Sequence, residues 1–261
     1  MLLARYAILI DGKRDPRLKI RSEIKIQDQT SRIEVHRDGI VEIYAENKEK
    51  LEKLKAIALI SSRYASDWMP FRLSCEEVTD LETGRQVSLG GVVMDGTVSV
   101  LSIRQDTFQK AADSLLRVEY PSLLFLIRST EGLQPHNEIS ILLALVALEL
   151  KLNEVVPIEA FTVRQKLAVL KWLRGPSHKR NDLKKLFSLR NCLAHGHWKG
   201  KKLTNRTIAL LGGGPKDWFL RSGYINASAT HEILEKVIFS LEQLSSQIGG
   251  KTKEKAKQFA F

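Results

Sequence analysis

The spacing of hydrophobic positions divides the chain into two parts, with the change near residue 105. Before that point most apolar side chains alternate with polar ones over short segments, the pattern of half-buried strands. The predicted strands are 18–26, 32–44 (a hairpin around Asp38-Gly39), 71–78 and 96–104. Residues 47–65 instead repeat apolar positions at helical spacing. We therefore expect residues 1–104 to form an α+β domain.

After residue 105 the apolar positions follow a helical period, which predicts a helical bundle over 105–248. The predicted helices are 106–132 (bent at Pro121), 136–153, 158–173, 178–194 (ended by Gly196) and 231–248 (with Ser228 or Thr230 as N-cap). Residues 136–153 are apolar almost all round, as in the central helix of a bundle. Residues 206–226 are predicted to form a small β insertion of two or three short strands.

The net charge of +11 is concentrated rather than spread along the chain. Residues 176–206 contain nine Lys or Arg residues and one acidic residue, Asp182. The tail 249–261, expected to be disordered, carries further lysines. Such a cluster is typical of a protein that binds a polyanion, although a solvated basic face has the same composition. Cys75 and Cys192 lie far apart, which indicates no disulfide framework and fits a reducing cytoplasm. The longest apolar run, 139–148, is shorter than the roughly 20 residues that cross a bilayer, so no membrane association is expected.

In the helix 178–194 the leucines at 186, 189 and 193 lie on one face, with Leu183 at its margin, and we expect this face to be buried in the bundle. Arg190 lies beside the apolar margin, where a lone charge is costly without a partner. The helix ends in a group of polar side chains, Arg190, Asn191 and His195. On a regular helix Asn191 and His195 are i, i+4 neighbours, whereas Arg190 lies about 140° round from His195. The guanidinium and the imidazole therefore meet only in one of three ways. The helix loosens before His195, the arginine side chain swings across, or two copies of the helix face each other in a symmetric dimer.

The segment RNCLAH at 190–195 resembles the R-x4-6-H motif of the HEPN superfamily, with Gly196 following as in its R-N-x-x-A-H-G form. The resemblance covers residues 105–248 as architecture and 186–196 as motif. It implies an up-and-down helical bundle with HEPN-like metal-independent endoribonuclease activity, frequent in toxin, antiviral-defence or RNA-processing systems. It also implies a homodimer whose two motifs form one cleft. The superfamily contains inactive members that bind nucleic acid or nucleotides or act as scaffolds, which is the alternative function.

The residue types suit RNA cleavage by the neighbouring 2′-hydroxyl. His195 can move protons near neutral pH, Arg190 can stabilise the negative charge of the transition state, and Asn191 can orient the imidazole. The phosphate backbone is expected to be bound by Lys179, Arg180, Lys184, His197, Lys199, Lys201 and Lys202. No cofactor and no metal are expected. The expected partners are RNA, a second copy of the chain, and a possible acidic antitoxin or regulatory protein.

Simpler interpretations of the same residues stay open. Arg190 and His195 can serve only to cap a helix end, with the imidazole near the C-terminal dipole. His195 and His197 have a spacing that can bind a metal, but no zinc-type pattern supports it. Cys192 and His195 invite a Cys–His nucleophile, although a half-buried free cysteine is the commoner case.

Overall fold

The structure is a computed structural model of the 261-residue chain. It describes residues 1–9, 19–20, 24–28, 30–66, 72–88, 100–101, 103–131, 137–174, 180–213 and 218–245. The chain divides into two compact units, Met1–Leu116 (the N-terminal unit) and Arg117–Phe261 (the helical unit). An α+β unit followed by a mostly helical one confirms the predicted order of fold classes.

The N-terminal unit contains a six-stranded antiparallel sheet with the strand order β3-β4-β5-β1-β6-β7, and a separate parallel pair of β2 and β8. Its strands are β1 (Leu2–Leu9), β2 (Lys19–Ile20), β3 (Ile24–Asp28), β4 (Ser31–Val35), β5 (Ile40–Ala45), β6 (Arg72–Asp80), β7 (Gln86–Ser88) and β8 (Val100–Leu101). Its helices are α1 (Lys48–Ala65) and α2 (Gln105–Leu116).

The hairpin predicted around Asp38-Gly39 is confirmed as β4–β5. His36 N–H donates to the Ile40 carbonyl at 2.8 Å, and Gly39 takes φ 80°, which an L side chain rarely adopts. The predicted strands at 18–26 and 71–78 correspond to β2, β3 and β6. The predicted strand 96–104 contains β8, and its residues 96–99 lie outside the described residues. The pattern did not predict β1, which lies inside the sheet between β5 and β6.

One face of this sheet is apolar and the other is polar. Ile33, Val35, Val41 and Ile43 are buried on the apolar face, whereas Glu34 and Glu42 point to the other face by the period of two. The helix α1 begins at its N-cap Asn47, whose side chain accepts from Lys50 N–H at 2.9 Å. This helix contacts β5 and β1, and α2 packs on α1. The division between units therefore follows Leu116 rather than residue 104.

The helical unit contains α3 (Tyr120–Glu131), α4 (Asn137–Val155), α5 (Val163–Arg174), α6 (Arg180–Ala194), α7 (Lys201–Leu211) and α8 (Ala227–Ser245). The central position predicted for α4 is confirmed, since it contacts α3, α5, α6 and α8. Its buried residues include Ile141, Ala144, Leu145, Leu148 and Leu152. None of the helices in the described ranges has the length and apolar character needed to span a membrane.

Two predictions about residues 105–248 are wrong in detail. The stretch 106–132 is two helices rather than one bent helix, and Pro121 lies in the first turn of α3, where a proline without N–H is tolerated. The first part of the proposed β insertion, residues 206–211, belongs instead to α7, in which Leu203, Thr207 and Leu210 bury one side of the helix. Only an isolated bridge between Phe219 and Ile225 has β geometry among the described residues of that segment.

The N-cap of α8 is also corrected. Asn226 accepts from Ala229 N–H at 2.8 Å, so the helix begins earlier than Ser228 or Thr230 would allow. The Thr230 hydroxyl donates to the Asn226 carbonyl at 2.8 Å. The tail 249–261 lies outside the described residues.

Two buried polar side chains at the start of α4 hold the chain that enters α8. Glu138 accepts from Ile225 N–H at 2.6 Å, and the Asn137 amide donates to the Ile225 carbonyl at 2.9 Å. Both side chains and Ile225 are buried. Because buried backbone groups are costly without partners, this pair fixes the start of α8 against α4.

We expect Glu138→Leu to lower the free energy of unfolding by about 1–3 kcal/mol, because the buried Ile225 N–H loses its acceptor. Urea unfolding followed by circular dichroism measures this. Glu232→Leu, at an exposed position of α8, is the matched control and should change stability by less than about 0.5 kcal/mol. Equal stability of the two variants would contradict the role assigned to Glu138.

Candidate functional site

The helix α6 places its apolar residues in the bundle and its polar residues outside. Leu183, Leu186, Leu189 and Leu193 are buried, which confirms the predicted leucine face. Asn191 and His195 are exposed. Packing of the leucines on the neighbouring helices therefore dictates which side chains of the motif face solvent.

The end of α6 is a Schellman motif centred on Gly196. His197 N–H donates to the Cys192 carbonyl at 3.1 Å and Gly196 N–H to the Leu193 carbonyl at 2.9 Å, with Gly196 at φ 77°. His195 N–H still donates to the Asn191 carbonyl at 3.1 Å, as in a regular helix. The helix thus remains wound up to His195 and presents its imidazole at the surface.

The Arg190 side chain turns toward α4. Its Nη2 lies 2.6 Å from Glu149 Oε2, and its Nη1 donates to Asn191 Oδ1 at 3.2 Å. The side chains of Arg190 and Glu149 are 29% and 22% exposed, so this ion pair lies at the surface rather than in the core. The charge that sequence reasoning placed beside the apolar margin is therefore paired within its own unit.

The single chain does not bring Arg190 and His195 together. In the described part of the chain no hydrogen bond joins the guanidinium to the imidazole, and the amide of Asn191 bonds Arg190 rather than His195. Of the three ways to unite these groups, loosening of the helix and swinging of the arginine are not seen in this conformation.

The loop after Gly196 joins His197 to the start of α7. Lys202 Nζ lies 2.8 Å from His197 Nε2. An ammonium has only donors, so the imidazole nitrogen accepts. The Lys199 Nζ lies 5.9 Å from the centre of the Tyr224 ring, at the outer limit of a cation–π contact.

The start of α7 favours an anion. Its N-cap is Gly200, which makes no side-chain cap bond, and its first turn contains Lys201 and Lys202 with no acidic residue. Lysines are unfavourable beside the positive end of the helix dipole. An anion bound there is attracted both by the lysines and by the helix dipole. The lysines predicted to bind RNA are exposed where their side chains are described: Lys184, Lys199, Lys201 and Lys202. Lys179 and the side chain of Arg180 lie outside the described residues.

Cys192 is buried on the side of α6 that faces the bundle, 3% exposed. Burial raises the pKa of its thiol, and the nearby charges of Lys202 and Arg206 only partly oppose this. Its Sγ lies 3.8 Å from the His197 carbonyl oxygen, a weak contact. A raised pKa and an inward position disfavour a Cys–His nucleophile.

Sequence reasoning missed Glu149. Its signal was an acidic residue in the otherwise apolar stretch 136–153, where a charge requires a partner. The partner lies on another helix, so the pairing is visible only in the tertiary structure. Searches of protein-family models, of curated proteins and of solved structures find no match to this chain.

We expect Cys192 to resist iodoacetamide in the folded protein at pH 8, where an ordinary thiol is about a quarter thiolate. The rate should rise as the pH approaches the raised pKa, and should be at least about tenfold higher after unfolding in urea. The Cys75→Ser background isolates the signal, which mass spectrometry measures. Rapid alkylation of native Cys192 near pH 7 would instead support a reactive thiolate.

Proposed function

We propose that the helical unit is a HEPN-like, metal-independent endoribonuclease that cleaves RNA at a site shared by two chains. The observation that carries this proposal is the exposed His195 at the end of α6, held by the Gly196 cap beside a basic loop. The segment RNCLAH supplies the family resemblance, and the buried leucine face supplies the rigid support. A helix end used only for capping has no need for an exposed imidazole next to several lysines.

The chemistry assigns one role to each group. The 2′-hydroxyl loses its proton and attacks the adjacent phosphorus, while the 5′-oxygen leaves and gains a proton. His195 can accept or donate these protons near neutral pH. Arg190 offers planar donors to the phosphate oxygens, which gain negative charge in the transition state. A strand without the 2′-hydroxyl cannot react this way, so the substrate is RNA rather than DNA.

The position of Arg190 supports a composite site. Within one chain its guanidinium contacts Glu149 and Asn191, and no hydrogen bond joins it to His195 among the described residues. A second chain related by a two-fold axis would bring its His195 to Arg190 of the first chain. Because an isologous interface repeats each contact, the same pairing would occur a second time. Each Arg190 would then meet the His195 of the other chain.

The lysines after Gly196 serve to bind the RNA backbone. Lys199, Lys201 and Lys202 are exposed around the N-terminus of α7, whose unpaired amide groups also attract phosphate. Affinity that depends on such contacts falls steeply with salt. RNA binding should therefore be independent of the base sequence and should weaken as the ionic strength rises.

A non-catalytic HEPN-like module is the second candidate function, and the Glu149–Arg190 ion pair favours it. An arginine that forms an ion pair within its own chain can have a purely structural role and need not bind a substrate. Such a module would bind RNA or a nucleotide, or act as a scaffold. An acidic antitoxin or regulatory protein would fit the same lysines in either case.

Incubation of the protein with single-stranded RNA in excess chelator tests the enzyme. We expect products with 2′,3′-cyclic phosphate ends, and a loss of about 100-fold or more in rate for His195→Ala and Arg190→Ala. Arg221→Ala, at an exposed position of the same unit, is the control and should retain activity. Tight binding of many RNAs without cleavage would sink the enzymatic proposal and favour the module.

Mixing the two inactive variants tests the shared cleft. A dimer of one His195→Ala chain and one Arg190→Ala chain keeps one composite site intact, so cleavage should partly recover. Sites built within single chains would stay inactive in every mixture.

We expect Glu149→Gln to tighten RNA binding by about two- to fivefold, the range of a partly exposed ion pair. The amide still holds Arg190 by a hydrogen bond, but it no longer neutralises the guanidinium that a phosphate would bind. Fluorescence anisotropy with labelled RNA measures this, with the exposed Glu159→Gln as matched control. Weaker binding by Glu149→Gln alone would show that the carboxylate orients Arg190 rather than competing for it.

A further inference from the structure

The polar face of the N-terminal sheet contains a row of charged residues at paired positions of five strands. The register pairs Lys25 with Glu34, Glu34 with Glu42, Glu42 with Arg5, and Arg5 with Glu77. The charges alternate except at the centre, where Glu34 and Glu42 lie directly opposite each other. Like charges at directly opposed positions destabilise an antiparallel pair. Both glutamates are also buried, 6% and 8% exposed, so their negative charges require compensation by neighbouring positive charges.

In each of the two carboxylates one oxygen contacts a cation and the other lies near His36. The outer oxygens bind the flanking cations: Glu34 Oε1 lies 3.0 Å from Lys25 Nζ, and Glu42 Oε1 accepts from Arg5 Nε at 2.8 Å. The inner oxygens, both Oε2, face His36.

The His36 ring directs Nε2 at these inner oxygens without bonding to them. Its Nε2 lies 3.5 Å from Glu42 Oε2 and 3.8 Å from Glu34 Oε2. This nitrogen is shielded from solvent and has no hydrogen-bond partner within the described part of the chain. Ligands about 2.0–2.1 Å from a tetrahedral zinc ion are about 3.3 Å apart, close to these separations. All three atoms lie within 4.8 Å of one another.

The geometry points to a divalent transition-metal site formed by Glu34, His36 and Glu42. One imidazole with two carboxylates suits Zn²⁺ or a related first-row ion better than Ca²⁺ or Mg²⁺, which prefer oxygen ligands alone. The ion places a positive charge between the two inner oxygens, in addition to the cations at the outer oxygens. Arg5, Lys25 and the Tyr44 hydroxyl, which donates to Glu42 Oε2 at 3.1 Å, hold the carboxylates as outer-shell groups do in metal sites.

A cavity beside the cluster leaves room for a fourth ligand. Its volume is about 510 Å³, and its lining includes His36, Glu42, Arg5 and the acidic residues Glu76 and Glu77. An open position next to such a cavity allows water or a substrate group to reach the ion. This site lies in the N-terminal unit and is independent of the ribonuclease proposed for the helical unit.

The test uses the full chain, stripped of metal with a chelator and titrated with Zn²⁺ in competition with a chromophoric indicator at pH 7.5. We expect one ion per chain, with affinity at least about 100-fold weaker in His36→Asn and Glu34→Gln, which lose a ligand. Tyr44→Phe, which loses an outer-shell contact, should weaken binding by about tenfold. The double variant His195→Asn/His197→Asn is the control and should bind as the wild type does, which excludes the other histidine cluster.

His36→Cys keeps the proposal testable if His36→Asn fails to fold. It replaces one ligand by another, so it should bind Co²⁺ with a sulfur-to-metal absorption band that the wild type lacks. Circular dichroism of the metal-free proteins checks the fold of each variant.

Zn²⁺ binding that is absent, or that is unchanged in His36→Asn and Glu34→Gln, would overturn the proposal. The two carboxylates would then be balanced by Arg5, Lys25 and Arg32 without a metal ion. Because the readout is metal binding, it is unaffected by whether the helical unit cleaves RNA.

Discussion

Burial of one leucine face determines what the helical unit can present to solvent. Leu186, Leu189 and Leu193 are fully buried against the neighbouring helices, so α6 has a single possible rotation about its axis. Gly196 then ends the helix in a left-handed conformation, and His195 lies at the surface at its last turn. The exposed imidazole, the basic loop and the start of α7 all follow from this packing and this cap.

The position of Arg190 is a separate consequence of packing. The helix α4 is apolar nearly all round because it lies at the centre of the unit, yet it carries Glu149 where it passes α6. The arginine bonds this carboxylate instead of reaching across its own helix. The two charged or titratable residues of the motif therefore have different surroundings. His195 is exposed, and its side chain has no partner among the described residues, whereas Arg190 is paired with Glu149.

The two units use charge in different ways. In the helical unit the lysines are exposed at the surface, where they can attract a polyanion. In the N-terminal sheet, the two buried glutamates face each other across β4 and β5, and cations bind their outer oxygens. Surface charge of the first kind costs little and needs no exact partner. The buried glutamates are tolerated only with compensating charges beside them, and Arg5, Lys25 and Arg32 provide these.

The sequence by itself determined the features that depend on local pattern. These include the β4–β5 hairpin at Asp38-Gly39, the leucine face of α6, the central position of α4 and the helix stop at Gly196, since each follows from spacing or backbone conformation. Only the tertiary structure decided the partner of Arg190, the assignment of α2 to the N-terminal unit and the meeting of Glu34, His36 and Glu42. The strand β1 and the helix α7 also escaped prediction, because burial on both faces removes alternation and because short helical repeats resemble strands. Local geometry is encoded within a few residues, whereas the neighbours of a charged side chain depend on segments brought together by the whole fold.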